Sequence, residues 1–109
     1  MMAAAALRFD GQTVLVTGSA TGLGFAIAEA FGGAGARIAL NDLSEARVAR
    51  AGAALGDAGI AWQGYPADVC DAGAVARMLE EINAASGGPD VVVANAGIYP
   101  NTPFLDLTE

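Results

Sequence analysis

The 109-residue chain has no lysine and no histidine, a single cysteine and only 6% aromatic residues. Each shortage excludes something. Without histidine, the commonest metal ligand and the usual general base are both missing, and the acidic residues are too scattered to suggest a metal site. Five arginines against 12 acidic residues leave a net charge of −7, so nucleic acid and anionic membrane surfaces are poor partners. Cys70 can form no internal disulfide, which fits a reducing compartment. The opening MMAAAALRFDG has no basic residue ahead of its apolar stretch. It reads as a frayed terminus, with residues 1–8 expected to be disordered, rather than as a secretion signal. The longest uncharged run, Gly11 to Ala28, includes four glycines and several hydroxyls and is no membrane span. A cytoplasmic protein is expected.

What is present points to a globular chain: 54% hydrophobic and 16% charged residues, much alanine, and 15 glycines that suit closely packed layers. The length allows one domain, or part of one, burying roughly 60–70% of its unfolded surface. Thr13 to Thr17, TVLVT, is a β-branched run that reads as a buried strand. Leu23, Ile27 and Phe31 then recur at helical spacing from Gly22 onward, and GGAGA at 32–36 is expected to end that helix. RIALND, 37–42, is a second strand, and Ser44 suits the N-cap of a helix whose face is Val48, Ala51, Gly52 and Leu55. IAWQGY, 60–65, is a weaker third strand. Asp71 caps a third helix with Val75, Met78, Leu79 and Ile82 on one face. GGPD breaks it, VVVAN at 91–95 is a fourth strand, and LDLTE begins another helix.

Strands apolar throughout and alternating with helices call for a parallel sheet covered on both faces. The fold class is therefore α/β, a doubly wound parallel sheet of Rossmann type, cut short after strand four, with strand order 3-2-1-4. In such a sheet ligands bind beyond the carboxyl ends of the strands, where the winding reverses. Here that point lies between Thr17–Gly24 and Asn95–Gly97. The loop TGSATGLG leads straight into a helix whose first N–H groups lack partners within it, a favourable place for a phosphate. Its spacing, G-x-x-x-G-x-G, differs from the G-x-G-x-x-G dinucleotide fingerprint, and no Lys-Ser or Lys-Thr follows to make a P-loop. A tight turn that needs glycine only for geometry is the plain alternative. Asp42 ends strand two, where a carboxylate can accept hydrogen bonds from an adenosine ribose. Asp68-Val69 follows strand three and Asn95-Ala96-Gly97 follows strand four. Any one of these suits an ordinary turn, but all lie on one sheet edge. The pyrophosphate of a dinucleotide accounts for them together.

These residues resemble the classical short-chain dehydrogenases/reductases over about Leu7 to Glu109. TGSATGLG is similar to the family's T-G-x-x-x-G-x-G, ALND to its strand-two acid, ADV to its adenine-contacting aspartate, and NAG to its strand-four motif. The resemblance implies Gly18, Ser19, Thr21, Gly22, Leu23 and Gly24 around the phosphates. It implies Asp42 and Leu43 at the adenine ribose, Asp68 and Val69 at adenine, and Asn95, Ala96 and Gly97 beside the nicotinamide ribose. Ala94 departs from the family's frequent double asparagine. The cofactor expected is NAD: a 2′-phosphate about 4 Å from Asp42 would cost about 4 kcal/mol at an effective dielectric near 20. NADP-preferring members usually place a basic residue in the glycine loop or just after strand two, where this chain has Thr21 and Leu43.

The family's proton donor is a tyrosine with a lysine four positions on, and neither Tyr65 nor Tyr99 has one. No catalytic residue is therefore assigned within the chain. Cys70 reads as a loop thiol, Trp62 as packing under strand three, and Glu80-Glu81 as a solvated helix face. The resemblance implies an oxidoreductase acting on a small alcohol or carbonyl substrate, and a homo-oligomer for an intact protein. The alternatives are a non-catalytic dinucleotide-binding module and, more distantly, a methyltransferase-like sheet, disfavoured because Thr17 rather than an acid precedes the loop. Family members continue the sheet past strand four, so VVVAN would present an apolar edge in the isolated chain. The isolated polypeptide is expected to aggregate or fold only partly, and a sharp cooperative melt of soluble monomer would contradict this.

Overall fold

Thr13–Val16 forms β1, and all four of its residues are buried. The computed structural model describes residues 7–95. After β1 come α1 (Gly22–Gly33), β2 (Arg37–Asp42), α2 (Glu45–Asp57), β3 (Trp62–Pro66), α3 (Ala72–Ser86) and β4 (Val91–Val93). The strands form one sheet in the order β3-β2-β1-β4, as the sequence predicts. Every pairing is parallel: Val14 lies opposite Ile38 and Val91, and Leu40 opposite Gly64.

Because side chains alternate across a strand, β1 and β2 feed two cores. Val14, Val16, Ile38 and Leu40 pack with Ala28 of α1 and with Val48, Ala51 and Leu55 of α2. On the other face Leu15, Ala39 and Tyr65 meet Met78 and Ile82 of α3. Burying each larger side chain contributes about 1.5–3 kcal/mol. Two helices therefore cover one face and a single described helix covers the other.

Both sequence-predicted caps form. Ser44 Oγ accepts from the Arg47 N–H at 3.2 Å, and Asp71 Oδ1 accepts from Gly73 N–H at 2.9 Å and Ala74 N–H at 3.2 Å. The alignment of α1 differs from expectation. The helix continues through Gly32 and Gly33, because a bare Gly32 lets Ile60 press against the helix where a Cβ would overlap it. Leu23 is 70% exposed, whereas Ile27 and Phe31 pack half-buried against the core as expected, and the fully buried positions of the helix are Gly24 and Ala28. Small residues there let the helix axis approach β1 closely. Strand boundaries shift as well. β1 stops at Val16, and β3 starts at Trp62 because the Ile60 N–H instead closes the end of α2 on Leu55 C=O at 3.0 Å. Among the described residues β4 pairs with β1 alone, and Val92 is 55% exposed.

Gly52 and Gly33 make opposite stability predictions. Gly52 faces the Trp62 ring so closely that a Cβ would overlap it, whereas nothing lies within 4 Å of a Cβ at Gly33. Gly52→Ala should therefore lower stability by about 1–3 kcal/mol despite alanine's better helix propensity. Gly33→Ala should raise it by about 0.5 kcal/mol. Urea unfolding midpoints for the two variants check the sign of each.

Candidate functional site

At the carboxyl edge of the sheet the loops after all four strands enclose one cleft of about 350 Å³, within the size range of small-molecule sites. Gly18, Thr21, Leu23, Gly24, Asp42, Leu43, Asp68, Val69 and Asn95 line it, together with Asn41, Ala67 and Cys70. The sequence-predicted residues absent from this lining are Ser19 and Gly22, while Ala96 and Gly97 lie outside the described residues.

Gly18 and Gly22 have φ of 63° and 62°, the left-handed region that side chains avoid. They turn the chain out of β1 and into α1. The helix then starts at an extended Thr21 whose side chain makes no capping hydrogen bond, unlike Ser44 and Asp71 at the other two helices. Its first backbone N–H groups and the positive end of its dipole are left to an anion. Gly24 is needed for closeness: a Cβ there would strike the Gly18 carbonyl and come within 2.6 Å of Asn95 Nδ2.

The loop is held from beneath. Asn41, only 1% exposed, donates from Nδ2 to the Tyr65 carbonyl at 2.9 Å and the Ala67 carbonyl at 3.3 Å. Its Oδ1 accepts from the Gly18 N–H at 3.3 Å. Ser19 is fully buried. Its hydroxyl accepts from the Asn41 N–H at 3.0 Å and donates to the Asn41 carbonyl at 3.1 Å. The Ser19 side chain expected around the phosphates is thus turned inward, because the buried backbone at the end of β2 needs its hydroxyl. From the other side Asn95 Nδ2 donates to the Gly18 carbonyl at 3.1 Å, and the Asn95 N–H donates to Thr17 Oγ1 at 2.9 Å.

Asp42 stands at the cleft's β2 corner with its side chain 13% exposed. Oδ2 accepts from the Ala20 N–H at 3.1 Å, while Oδ1 accepts from the Leu43 N–H at 2.8 Å and from Arg47 Nη2 at 3.3 Å. Asp68 Oδ1 accepts from the Cys70 N–H at 2.9 Å, shaping the turn after β3. Tyr65 is no candidate for proton transfer. Burial above all, and then Glu81, push its hydroxyl above the ordinary phenol range, with Arg37 opposing, the wrong direction for a group acting near neutral pH. Among the described residues no cluster of ligating side chains could hold a metal ion, and no helix is long and apolar enough to cross a membrane.

Two residues escaped the sequence reading. Asn41 had a signal, a polar residue inside the otherwise buried run of β2. Arg47 had none, since its reach back to Asp42 depends on how α2 leaves the strand. Replacing Asn41 with alanine would strand the Tyr65 and Ala67 carbonyls and the Gly18 N–H. The expected loss is about 1–3 kcal/mol, read as a lower urea midpoint, with faster amide hydrogen exchange at Gly18.

Comparison with known proteins places this geometry. Residues 12–109 match the family model described as short chain dehydrogenase. D-threitol dehydrogenase of Mycolicibacterium smegmatis is 39% identical over 101 residues, covering 93% of this chain and 39% of that protein. The crystal structure of 2-keto-3-deoxy-D-gluconate dehydrogenase from Streptococcus agalactiae superposes with a TM-score of 0.81 at 38% identity, covering 93% of this chain and 38% of that one. L-sorbose reductase from Gluconobacter frateurii, solved with NADPH and L-sorbose, gives a TM-score of 0.83 at 31% identity, covering 91% and 38%. The chain thus spans about two fifths of the length of these relatives. On this match, running from the end of the N-terminal segment through the glycine loop and all four strands, the chain belongs to the short chain dehydrogenase family.

Proposed function

We propose that this chain is the NAD-binding portion of an oxidoreductase that acts on a small alcohol or carbonyl compound. The observation behind this reading is that an uncapped helix N-terminus and the Asp42 carboxylate open into the same cleft. The two chemistries suit the two parts of an adenosine diphosphate: unpaired amides for the pyrophosphate, and an acceptor one strand away for the ribose hydroxyls. Bound NAD would supply the hydride acceptor, or as NADH the donor.

The chain's own residues hold and orient that cofactor. Gly18, Thr21, Gly22 and Gly24 keep the backbone bare at the mouth of α1, with Ser19 beneath them as an anchor. Leu23 and Leu43, 70% and 63% exposed, offer apolar cover at the two sides of the cleft. Asp68 and Val69 stand on the β3 side for the adenine, and Asn95 stands on the β4 side for the nicotinamide ribose, to which the family resemblance also assigns Ala96 and Gly97. Asp42 favours a 2′-hydroxyl over a 2′-phosphate by charge. The names of the relatives, a D-threitol dehydrogenase and an L-sorbose reductase, suggest a polyol or ketose as the substrate of a complete enzyme. With no lysine to pair with a tyrosine, the chain on its own is expected to bind cofactor without turning over substrate. That behaviour is also what a non-catalytic dinucleotide-binding module would show.

Calorimetric titration tests the reading. The chain should bind NAD, and Asp42→Ala should weaken binding about tenfold, the scale of a hydrogen bond to a charged group. That loss should shrink for a 2′-deoxyadenosine analogue of NAD, which keeps only the 3′-hydroxyl for Asp42. In protein shown by circular dichroism to be folded, binding that is absent, or indifferent to Asp42, would overturn the assignment.

A further inference from the structure

We infer that the amino edge of the sheet carries a second small-molecule site, suited to a hydroxy acid, with Arg37 holding the carboxylate and Ser86 a hydroxyl. The site does not depend on the dinucleotide reading, because its cavity lies at the opposite end of the strands from the cleft. Gly11, Thr13, Arg37 and Ser86 line it together with Gly35 and Gly59. They stand at or just before the starts of β1 and β2, at the end of α3, and in the turns that follow α1 and α2. β2 is six residues long, which separates the two openings by about 20 Å. The cavity measures about 340 Å³, almost the size of the cleft. Its glycine walls are uncrowded: nothing lies within 4 Å of a Cβ at Gly11 or Gly59.

The lining groups divide into donors and acceptors. Among the described residues the ion pairs are Arg8–Asp10 and Arg47–Asp42, so the exposed Arg37 guanidinium keeps its donors for a ligand. An arginine fork matches the two oxygens of a carboxylate. The acids nearby are already engaged. Asp10 pairs with Arg8 at 2.9 Å, and Asp90 Oδ2 accepts from the Thr13 N–H at 2.8 Å. The hydroxyls have the reverse character. Ser86 Oγ donates to the Ile82 carbonyl at 3.1 Å, so the 3.0 Å bond between Thr13 and Ser86 carries the threonine's proton. Both protons are committed inside the protein, and Ser86 Oγ is left with one acceptor position. That position fits a ligand hydroxyl. A simple carboxylate would use Arg37 alone and a neutral polyol Ser86 alone, whereas a hydroxy acid uses both.

The test is a nuclear magnetic resonance titration of the 109-residue chain with gluconate, acetate and glucitol as probes. Gluconate should shift the amides of Gly11, Gly35 and Gly59, leave those of Gly18 and Gly22 in place, and bind more tightly than either other probe. Arg37→Gln, in protein whose circular dichroism matches the wild type, should weaken gluconate about tenfold, the scale of a hydrogen bond to a charged group. Ser86→Ala should weaken gluconate about threefold, the scale of a neutral hydrogen bond, and leave acetate unchanged. Shifts that are absent, that centre on the glycine loop, or that persist unweakened in Arg37→Gln would overturn the site. Equal affinity for acetate and gluconate would leave only charge attraction and overturn it as a hydroxy-acid site. A chain that takes gluconate here but ignores NAD would remove the cofactor reading and leave this one standing.

Discussion

The buried amide of Asn41 holds the functional edge of this sheet together. One side chain ties the end of β2 to the Tyr65 and Ala67 carbonyls and to the first turn of the glycine loop. Ser19 closes the arrangement by bonding both backbone groups of the same residue. Burying an amide is costly unless its donors and acceptor find partners. Here all of them do, and among the described residues no buried side-chain nitrogen or oxygen lacks a partner. The loop that must present bare amides to an anion is therefore rigid because of what lies beneath it.

That support separates two kinds of residue in the loop. Gly18 and Gly22 supply backbone angles, Gly24 supplies room, and Ser19 supplies an internal hydroxyl. Thr21, by withholding its side chain from the helix, leaves donors free. Asp42 has a double role: it accepts from the loop at Ala20 and still opens on the cleft. Placing the carboxylate and placing the loop are thus one structural event.

Most of the fold was legible because the signals are local. Val14, Val16, Ile38 and Leu40 are apolar on both sides of their strands' neighbours, and Ser44 and Asp71 are strong caps whose effect does not depend on distant residues. The carboxyl-edge position of Asp42, Asp68 and Asn95 followed from topology. The misses were tertiary. Leu23 matched a helical stripe by spacing, but only Ile27 and Phe31 of that stripe pack on the core, beside a fully buried Gly24 and Ala28 that let α1 lie close to β1. Gly32 looked like a terminator, yet Ile60, far along the chain, makes a bare position there useful. Ser19 had the chemistry to face a phosphate, and only the position of the Asn41 backbone showed why it faces inward. Arg47 could be connected to Asp42 only once the path between β2 and α2 was known.

The bond from Asn95 to the Gly18 carbonyl joins positions 77 residues apart. During synthesis the glycine loop leaves the ribosome early, in the company of β1 and α1, but its last tether emerges only after β4. Contacts so distant in sequence form late, once shorter-range structure has reduced the entropy of closing the intervening chain. The first-made segment of the site is therefore the last to acquire its working shape. A nascent chain cannot offer the finished cleft to a nucleotide until the fourth strand has docked.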